Sequence, residues 1–129
     1  MKRFPALCLF LSLLLTPAAF AGASVASYVE LSDAPTIAVD WSKGDALTVT
    51  LHGNRALAFS NGQRGGKYML IIKQDQTGSR TVTWPSSVRL PGGGSPQKIV
   101  LTMTADKTDY ISFFFNGDTY DMLSMSQAY

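Results

Sequence analysis

The chain has almost none of the residues that carry redox, metal or nucleophilic chemistry. Among 129 residues there is one cysteine, Cys8, and one histidine, His52. A Ser-His-Asp triad needs a histidine base, and His52 ends a Thr-faced segment beside Gly53, as an exposed strand terminus would. Zinc sites usually take several His and Cys ligands, and too few are present. We therefore predict no catalytic residue, no metal and no cofactor.

Glutamate is also scarce, and no sign of charge dominates. Glu30 is the only glutamate, and 11 Lys and Arg residues stand against 9 Asp and Glu residues, a formal charge of +2. Lys2 and Arg3 are the only charges in residues 1–21, so a chain without that segment has no net charge. A nucleic-acid partner requires a basic patch, and the basic residues are scattered among carboxylates. We predict no nucleic-acid partner and little electrostatic barrier to self-association.

The first 21 residues have the pattern of a secretory signal peptide. Lys2 and Arg3 precede an apolar run at residues 4–15, and small residues follow a Thr-Pro break. The run of about 12 residues is shorter than the roughly 20 that span a bilayer. We predict cleavage after Ala21, with Ala23 as the second choice, and secretion to the bacterial cell exterior. The mature chain would then have no membrane span and no thiol.

The apolar pattern of the mature chain has a period of two and favours short strands. Nine candidate strands cover residues 25–31, 36–39, 46–51, 56–59, 68–74, 80–84, 98–104, 110–116 and 119–123. Gly, Asn and Asp turns separate them at regular spacing, which is typical of a sandwich or barrel. We predict an all-β protein: a single antiparallel β-sandwich of jelly-roll or Greek-key type with eight or nine short strands.

Two candidate strands are apolar on both faces. In residues 68–72, Tyr68, Leu70 and Ile72 oppose Met69 and Ile71, so this strand is predicted to be central or covered by another subunit. In residues 110–116 the odd-numbered residues are predicted to face the core. Phe114 then lies on the outer face, where an apolar ring often marks an interface.

Large aromatic side chains allow two interpretations. Trp41, Tyr68, Trp84 and Tyr120 could form a platform for sugar rings, as in a carbohydrate-binding module. Tryptophan and tyrosine also pack commonly in cores with the polar atom reaching a partner. Core packing is the favoured interpretation, and the platform stays open.

Two sets of carboxylates could carry chemistry. Asp40, Asp75 and Asp109 could supply a pair for glycoside cleavage, although each has a turn or strand-flanking role available. Asn116, Asp118 and Asp121 faintly suggest calcium, but an Asn-Gly hairpin turn explains the same residues. We predict structural roles for both sets.

The segment at residues 72–85 reads Ile-Lys-Gln-Asp-Gln-Thr-Gly-Ser-Arg-Thr-Val-Thr-Trp-Pro and resembles a β-sandwich domain of bacteriophage tail-fibre and virion proteins. In that family a "QD.TGSRTVTWP" block precedes a Gly/Pro loop, here residues 91–96. A "T.TA.KTD...F" block follows, here residues 102–113. The resemblance begins near residue 36 and reaches about residue 120. It implies a structural, non-enzymatic role.

Residues 22–35 form an arm ahead of the predicted 36–129 domain. Its strand-like residues are Val25, Tyr28, Val29 and Leu31. The arm could pair with its own sheet, or add to the sheet edge of a second copy and build a filament. The sequence thus predicts an exported subunit that self-assembles into an extracellular fibre or pilus-like filament. The alternative is a secreted adhesin or carbohydrate-binding module with a cell-surface glycan as partner, and a closed trimer fits either.

Overall fold

A computed structural model describes residues 28–129. The predicted signal peptide at residues 1–21 and Val25 of the predicted arm therefore lie outside the described part. Nine strands occur in it: β1 (Val29–Glu30), β2 (Thr36–Asp40), β3 (Ala46–Leu51), β4 (Arg55–Ser60), β5 (Lys67–Gln74), β6 (Val82–Thr83), β7 (Val88–Arg89), β8 (Thr108–Phe115) and β9 (Tyr120–Ser126). Two short 3-10 helices, Trp41–Lys43 and Pro96–Lys98, complete the secondary structure of these residues.

The strands form two sheets of unequal width. One sheet has six strands in the order β1-β3-β5-β8-β9-β7, and the other has three in the order β2-β4-β6. From β1 to β6 the chain alternates between the sheets, and every neighbouring pair within this stretch is parallel. Each parallel pair therefore has a strand of the opposite sheet within its crossover connection. We call this part, β1 to β6, the parallel half.

The remainder of the wide sheet is built differently. β8 runs antiparallel to β5 and β9 antiparallel to β8, while β7 lies parallel to β9 at the sheet edge. In β9, Met122 faces Phe113 and Ser124 faces Ser112, so Leu123 is an extra residue that makes a bulge. We call β7 to β9 the hairpin half.

The prediction of an all-β sandwich with eight or nine short strands is confirmed, but the predicted antiparallel pairing is wrong for most strand pairs. Of the seven strand pairs formed by residues 28–129, five are parallel. The Thr77-Gly78 turn joins β5 and β6, which lie in different sheets and do not pair. Turn residues indicate where the chain reverses, and they do not indicate which sheet receives the next strand. Jelly rolls and Greek keys need antiparallel neighbours, which only β5–β8 and β8–β9 provide here.

Two strand boundaries also differ. No strand forms at residues 98–104, and β7 occupies residues 88–89 where none was predicted. Ile99 and Leu101 are nevertheless buried and Val100 is exposed, so the predicted alternation is correct without a strand ladder.

The core lies between the sheets. Leu47, Val49 and Leu51 of β3 are completely buried, as the alternation predicts, and each contributes about 1.5–3 kcal/mol by leaving water. β5 lies between β3 and β8, which confirms the prediction of a central strand. Ile111 and Phe113 also point inward. Within residues 28–129 the narrow sheet has three strands and reaches the hairpin half through Phe59, and irregular chain covers the remaining inner face of that half.

Candidate functional site

The Gln-Asp pair at the end of β5 fastens the turn that follows it. Gln74 is buried, and its Nε2 donates to the carbonyl oxygens of Arg80 (2.8 Å) and Thr102 (2.9 Å). The backbone N–H of Arg80 donates back to Gln74 Oε1 at 2.9 Å. One buried amide therefore joins β5, the turn and the irregular segment at residues 99–104.

Asp75 closes the same turn with its carboxylate. Its Oδ1 accepts the backbone N–H groups of Thr77 (3.1 Å) and Gly78 (3.0 Å), and Arg80 Nη2 lies 3.0 Å from Oδ2. The hydrogen bond from Arg80 is the main cause that lowers the pKa of Asp75. His52 Nδ1 lies 3.6 Å from Oδ2, but its side chain is mostly exposed. A carboxylate held ionised by a guanidinium is a poor general acid at neutral pH.

Asp109 fastens the second family block in a similar way. Its buried carboxylate accepts the backbone N–H of Thr102 at 2.6 Å, the Thr102 hydroxyl at 2.7 Å and the Ala128 N–H at 3.1 Å. The Thr102 carbonyl thus accepts a hydrogen bond from Gln74, and the Thr102 N–H donates one to Asp109. Gln74 of the first sequence block and Asp109 of the second therefore both hold the backbone of Thr102.

Asp40 also has a local role. It caps the 3-10 helix by accepting the Ser42 N–H at 3.0 Å and the Ser42 hydroxyl at 2.6 Å, and Asn61 Nδ2 donates to it at 2.9 Å. The Ser42 hydrogen bond is the main cause that lowers the pKa of Asp40. Asp40, Asp75 and Asp109 therefore all have internal partners, which account for these residues without catalysis.

Four of the five candidate interface or ligand aromatics lie in the core. Trp41, Tyr68, Trp84 and Tyr120 are each no more than 4% exposed, and the rings of Trp41 and Tyr68 pack at a tilt of 30° with centroids 4.7 Å apart. The hydroxyl oxygens of Tyr68 and Tyr120 accept backbone N–H groups of the 62–63 turn at 2.7 and 3.0 Å. These four rings cannot present a face to a sugar in this fold. Phe114 lies half-buried on the outer face of the wide sheet, as predicted.

The residues that suggested calcium form a turn. Asn116 Oδ1 accepts the N–H groups of Asp118 and Thr119, both at 2.8 Å, as an Asn-Gly turn requires. Asp121 makes a two-bond pair with Arg89 at 2.8 and 2.7 Å, and this bond lowers its pKa. Within residues 28–129 no cluster of three His, Cys, Asp or Glu side chains could hold a metal. Nor does this part contain a helix long and apolar enough to cross a membrane.

The described residues of the arm belong to the wide sheet. β1 pairs with β3, the Leu31 N–H donates to the Thr48 carbonyl at 2.7 Å, and the Leu31 side chain is buried. Tyr28 immediately precedes β1 and is 63% exposed. The structure therefore shows the own-sheet alternative for residues 29–31.

The narrow sheet has one open edge. The Pro35 carbonyl accepts the Ala56 N–H, so the backbone polar groups of Thr36 and Ala38 point away from β4. No strand within residues 28–129 pairs with that side of β2. Natural edges often carry a lysine or an inward charge as protection, and β2 has only Asp40 at its end.

The opposite edge of the narrow sheet is covered. Beyond β6, Gln97 accepts the Trp84 N–H on Oε1 at 3.0 Å and donates from Nε2 to the Trp84 carbonyl at 2.7 Å. Trp84 Nε1 donates to the Ile99 carbonyl at 3.1 Å. A side-chain amide therefore takes the place of a further strand.

An apolar groove remains beside this covered edge, between residues 90–100 and β9. Its volume is about 540 Å³, and its lining residues are Leu90, Pro91, Lys98, Ile99, Val100, Met122, Met125 and Gln127. Val100 is 62% exposed. No local pattern in the sequence predicts this groove, since it results from the unequal widths of the two sheets.

Together the fold and its hydrogen-bond clamps define a structural β-sandwich module whose distinctive motifs hold its own backbone. Residues 34–120 match the model of a family described as "Putative phage tail fibre C-terminal domain", and the chain belongs to this family. The resemblance seen in the sequence is thereby confirmed. The family assigns the chain a structural or adhesin-like role. No curated protein and no solved structure matches the chain.

Proposed function

We propose that this chain is an exported, non-enzymatic structural subunit that self-assembles into an extracellular fibre or pilus-like filament. The observation that carries the proposal is the difference between the two edges of the wide sheet. β1 and the exposed Tyr28 lie at one edge, and β7 with the adjacent apolar groove lies at the other.

Unlike surfaces at opposite edges favour a head-to-tail contact. A contact between two different patches does not close on itself unless the rotation between subunits forms a ring, so it extends into a filament. The zero net charge expected after removal of residues 1–21 leaves no strong repulsion between copies. The signal-peptide pattern supports assembly outside the cell.

Strand donation by the arm is part of this proposal, but the donated part is shorter than residues 22–35. Leu31 is buried, and Asp33 makes a two-bond pair with Arg55 at 2.7 and 2.9 Å. Residues 29–35 therefore stabilise their own subunit. We therefore assign strand donation to residues 22–28.

The test compares the chain 22–129 with the chain 29–129 by negative-stain microscopy and light scattering. We expect filaments or large oligomers from the longer chain and monomers from the shorter one. Equal urea midpoints would show that the truncation leaves the fold intact. Monomers from both chains at high concentration would contradict the proposal.

A polar cleft supports adhesion to a cell-surface glycan as a second candidate function. Its volume is about 400 Å³, and Thr50, His52, Lys73, Gln76 and Asp106 line it with Gln74 and Asp75. Hydroxyl, amide and charged groups of this kind can bind sugar hydroxyls. A glycan array with the wild-type chain and with Lys73→Ala tests it. Binding that Lys73→Ala does not weaken would place the glycan elsewhere, and absence of binding would contradict adhesion.

A further inference from the structure

We propose that the apolar groove beside β9 is the acceptor site for residues 22–28 of a second copy, with the Tyr28 ring as its main anchor. This inference rests on the proposed self-assembly and names the two surfaces that meet. The occupant is a segment of this same chain, and the partner is a second copy.

The narrow sheet reaches the start of β9, where the rings of Phe59 and Tyr120 lie 5.1 Å apart, and the groove lies further along β9. The irregular segment that covers this region buries Ile99 and Leu101 but leaves Val100 exposed. Met122 and Met125 of β9 remain only partly buried along the groove. An apolar surface of this kind gains free energy when it is covered, at roughly 25 cal/mol per Å².

The chemistry of residues 22–28 suits that lining. The segment reads Gly-Ala-Ser-Val-Ala-Ser-Tyr and contains no charge, so no unpaired ion would enter an apolar site. Two methionines adapt easily to an incoming ring, and sulfur contacts with an aromatic edge are favourable. Tyr28 is the exposed aromatic side chain at the start of the described chain. Lys98 and Gln127 lie among the lining residues and provide polar partners for a tyrosine hydroxyl.

The same molecule cannot place Tyr28 in its own groove. Four strand spacings of about 4.8 Å, roughly 19 Å in all, separate β1 from β9, which lines the groove. Tyr28 immediately precedes β1, and a tyrosine side chain is much shorter than this distance. A Tyr28 ring in the groove must therefore come from another copy.

The open edge of β2 is the competing acceptor for a donated strand. It lies in the narrow sheet beside β4, and it offers backbone groups instead of an apolar lining. Substitutions can separate the two sites because each has an exposed residue that the fold does not need. These residues are Val100 in the groove and Ala38 on β2.

The experiment measures the critical concentration for assembly of the chain 22–129 by light scattering. Val100→Asp places a charge in the groove, and we expect at least about a tenfold increase. The matched control is Leu123→Asp, because Leu123 is also an exposed aliphatic side chain, 54% exposed, in the hairpin half but is not among the groove-lining residues. We expect no change from this control. Tyr28→Ala is expected to act like Val100→Asp.

Mixing two defective chains tests the head-to-tail arrangement. Val100→Asp keeps the donor segment, and the chain 29–129 keeps the groove. We expect a 1:1 mixture to form a heterodimer of about twice the subunit mass and nothing larger, since each partner has only one working surface.

The outcomes separate this inference from the function on which it rests. If the wild-type chain assembles and Val100→Asp assembles equally well, the groove is not the acceptor and self-assembly still stands. If Ala38→Lys blocks assembly while Val100→Asp does not, β2 is the acceptor and the inference is overturned. If the wild-type chain stays monomeric, the proposed function itself fails.

Discussion

The parallel half and the hairpin half enclose one hydrophobic core by different means. In the parallel half, backbone ladders hold three strands of the wide sheet and all three strands of the narrow sheet. In the hairpin half, Phe59 of β4 packs against Phe113 and Tyr120, and the rest of the covering layer is the segment at residues 90–104, which contains no strand. The side chains of Gln74 and Asp109 hold its backbone instead, and its own Gln97 side chain bonds the backbone of Trp84.

This difference explains where the molecule has surface to offer. Paired sheets bury alternate residues completely, as in β3, because both layers have the same period. A covering segment held at a few points buries Ile99 and Leu101 but not Val100, and it leaves a groove along β9. The parallel half thus supplies stability, and the hairpin half supplies a surface for a partner.

The largest expected effect comes from breaking the junction of the two halves at Trp84. Its ring is 2% exposed and lies 6.1 Å from the ring of Phe113, centroid to centroid. Trp84→Ala should lower the free energy of unfolding by about 3–5 kcal/mol, because a large cavity forms in the core. Urea denaturation measures the loss.

Trp41, in the parallel half, provides a comparison for the effect expected at Trp84. Trp84 Nε1 donates to the Ile99 carbonyl, whereas Trp41 Nε1 has no hydrogen-bond partner within residues 28–129. Trp84→Phe should therefore cost more than Trp41→Phe, because only the former leaves a carbonyl without its donor. Equal costs would show that the bond across the junction contributes nothing.

A smaller effect is expected at the contact between the 75–80 turn and the covering segment. Gly78 has φ +71°, and a Cβ there would lie 2.7 Å from the Met103 carbonyl oxygen and 2.8 Å from the Ala105 nitrogen. Gly92 has φ +76°, and a Cβ there would meet no atom within 4 Å, so it is the matched control. Gly92→Ala should cost about 1–2 kcal/mol from backbone strain alone.

Gly78→Ala should cost clearly more in the same urea measurement, since the backbone of residues 103–105 must also move. Similar losses for the two substitutions would mean that the turn and the covering segment separate without penalty. The comparison isolates the steric contact because the two glycines have nearly the same φ.

The smallest effect is expected from acid. Arginine partners are the main cause that lowers the pKa of Asp33 and Asp75 in the parallel half and of Asp121 in the hairpin half. A carboxyl whose pKa is lower in the folded state stabilises the fold above its unfolded pKa, and this stabilisation is lost as pH falls through the folded pKa. The urea midpoint should therefore fall below about pH 4.

Single substitutions assign that loss to the two halves. Asp33→Asn should reduce the difference between the midpoints at neutral and acidic pH more than Asp121→Asn does. Asp33 is paired with a mostly buried Arg55, while Arg89 beside Asp121 is 58% exposed and screened by water. A larger change from Asp121→Asn would reverse this ranking.

The sequence predicted the burial pattern better than the pairing. Alternation placed Leu47, Val49 and Leu51 in the core because side-chain direction follows directly from backbone pleat. Strand direction depends on which sheet receives the next strand, and no local signal at Thr77-Gly78 encodes it. Residues 98–104 alternate like a strand, but distant side chains take the place of a ladder there.

The site was predicted only in part. Phe114 was correctly placed on the outer face, and Asp40, Asp75 and Asp109 have the turn and strand-flanking roles expected for them. The groove and the hydrogen bonds by which Gln97 covers the edge beyond β6 were missed, because both depend on the relative widths of the two sheets. That quantity appears only when all nine strands are assembled.

The loop at residues 91–96 has a consequence for engineering. Its central glycines, Gly92 and Gly93, have positive φ angles and no neighbouring atoms within 4 Å of a potential side chain. Surface loop tips of this kind tolerate inserted sequence, because no buried backbone bond depends on their length. A foreign peptide carried there would be displayed at the rim of each subunit, and in a filament it would repeat at every step along the fibre.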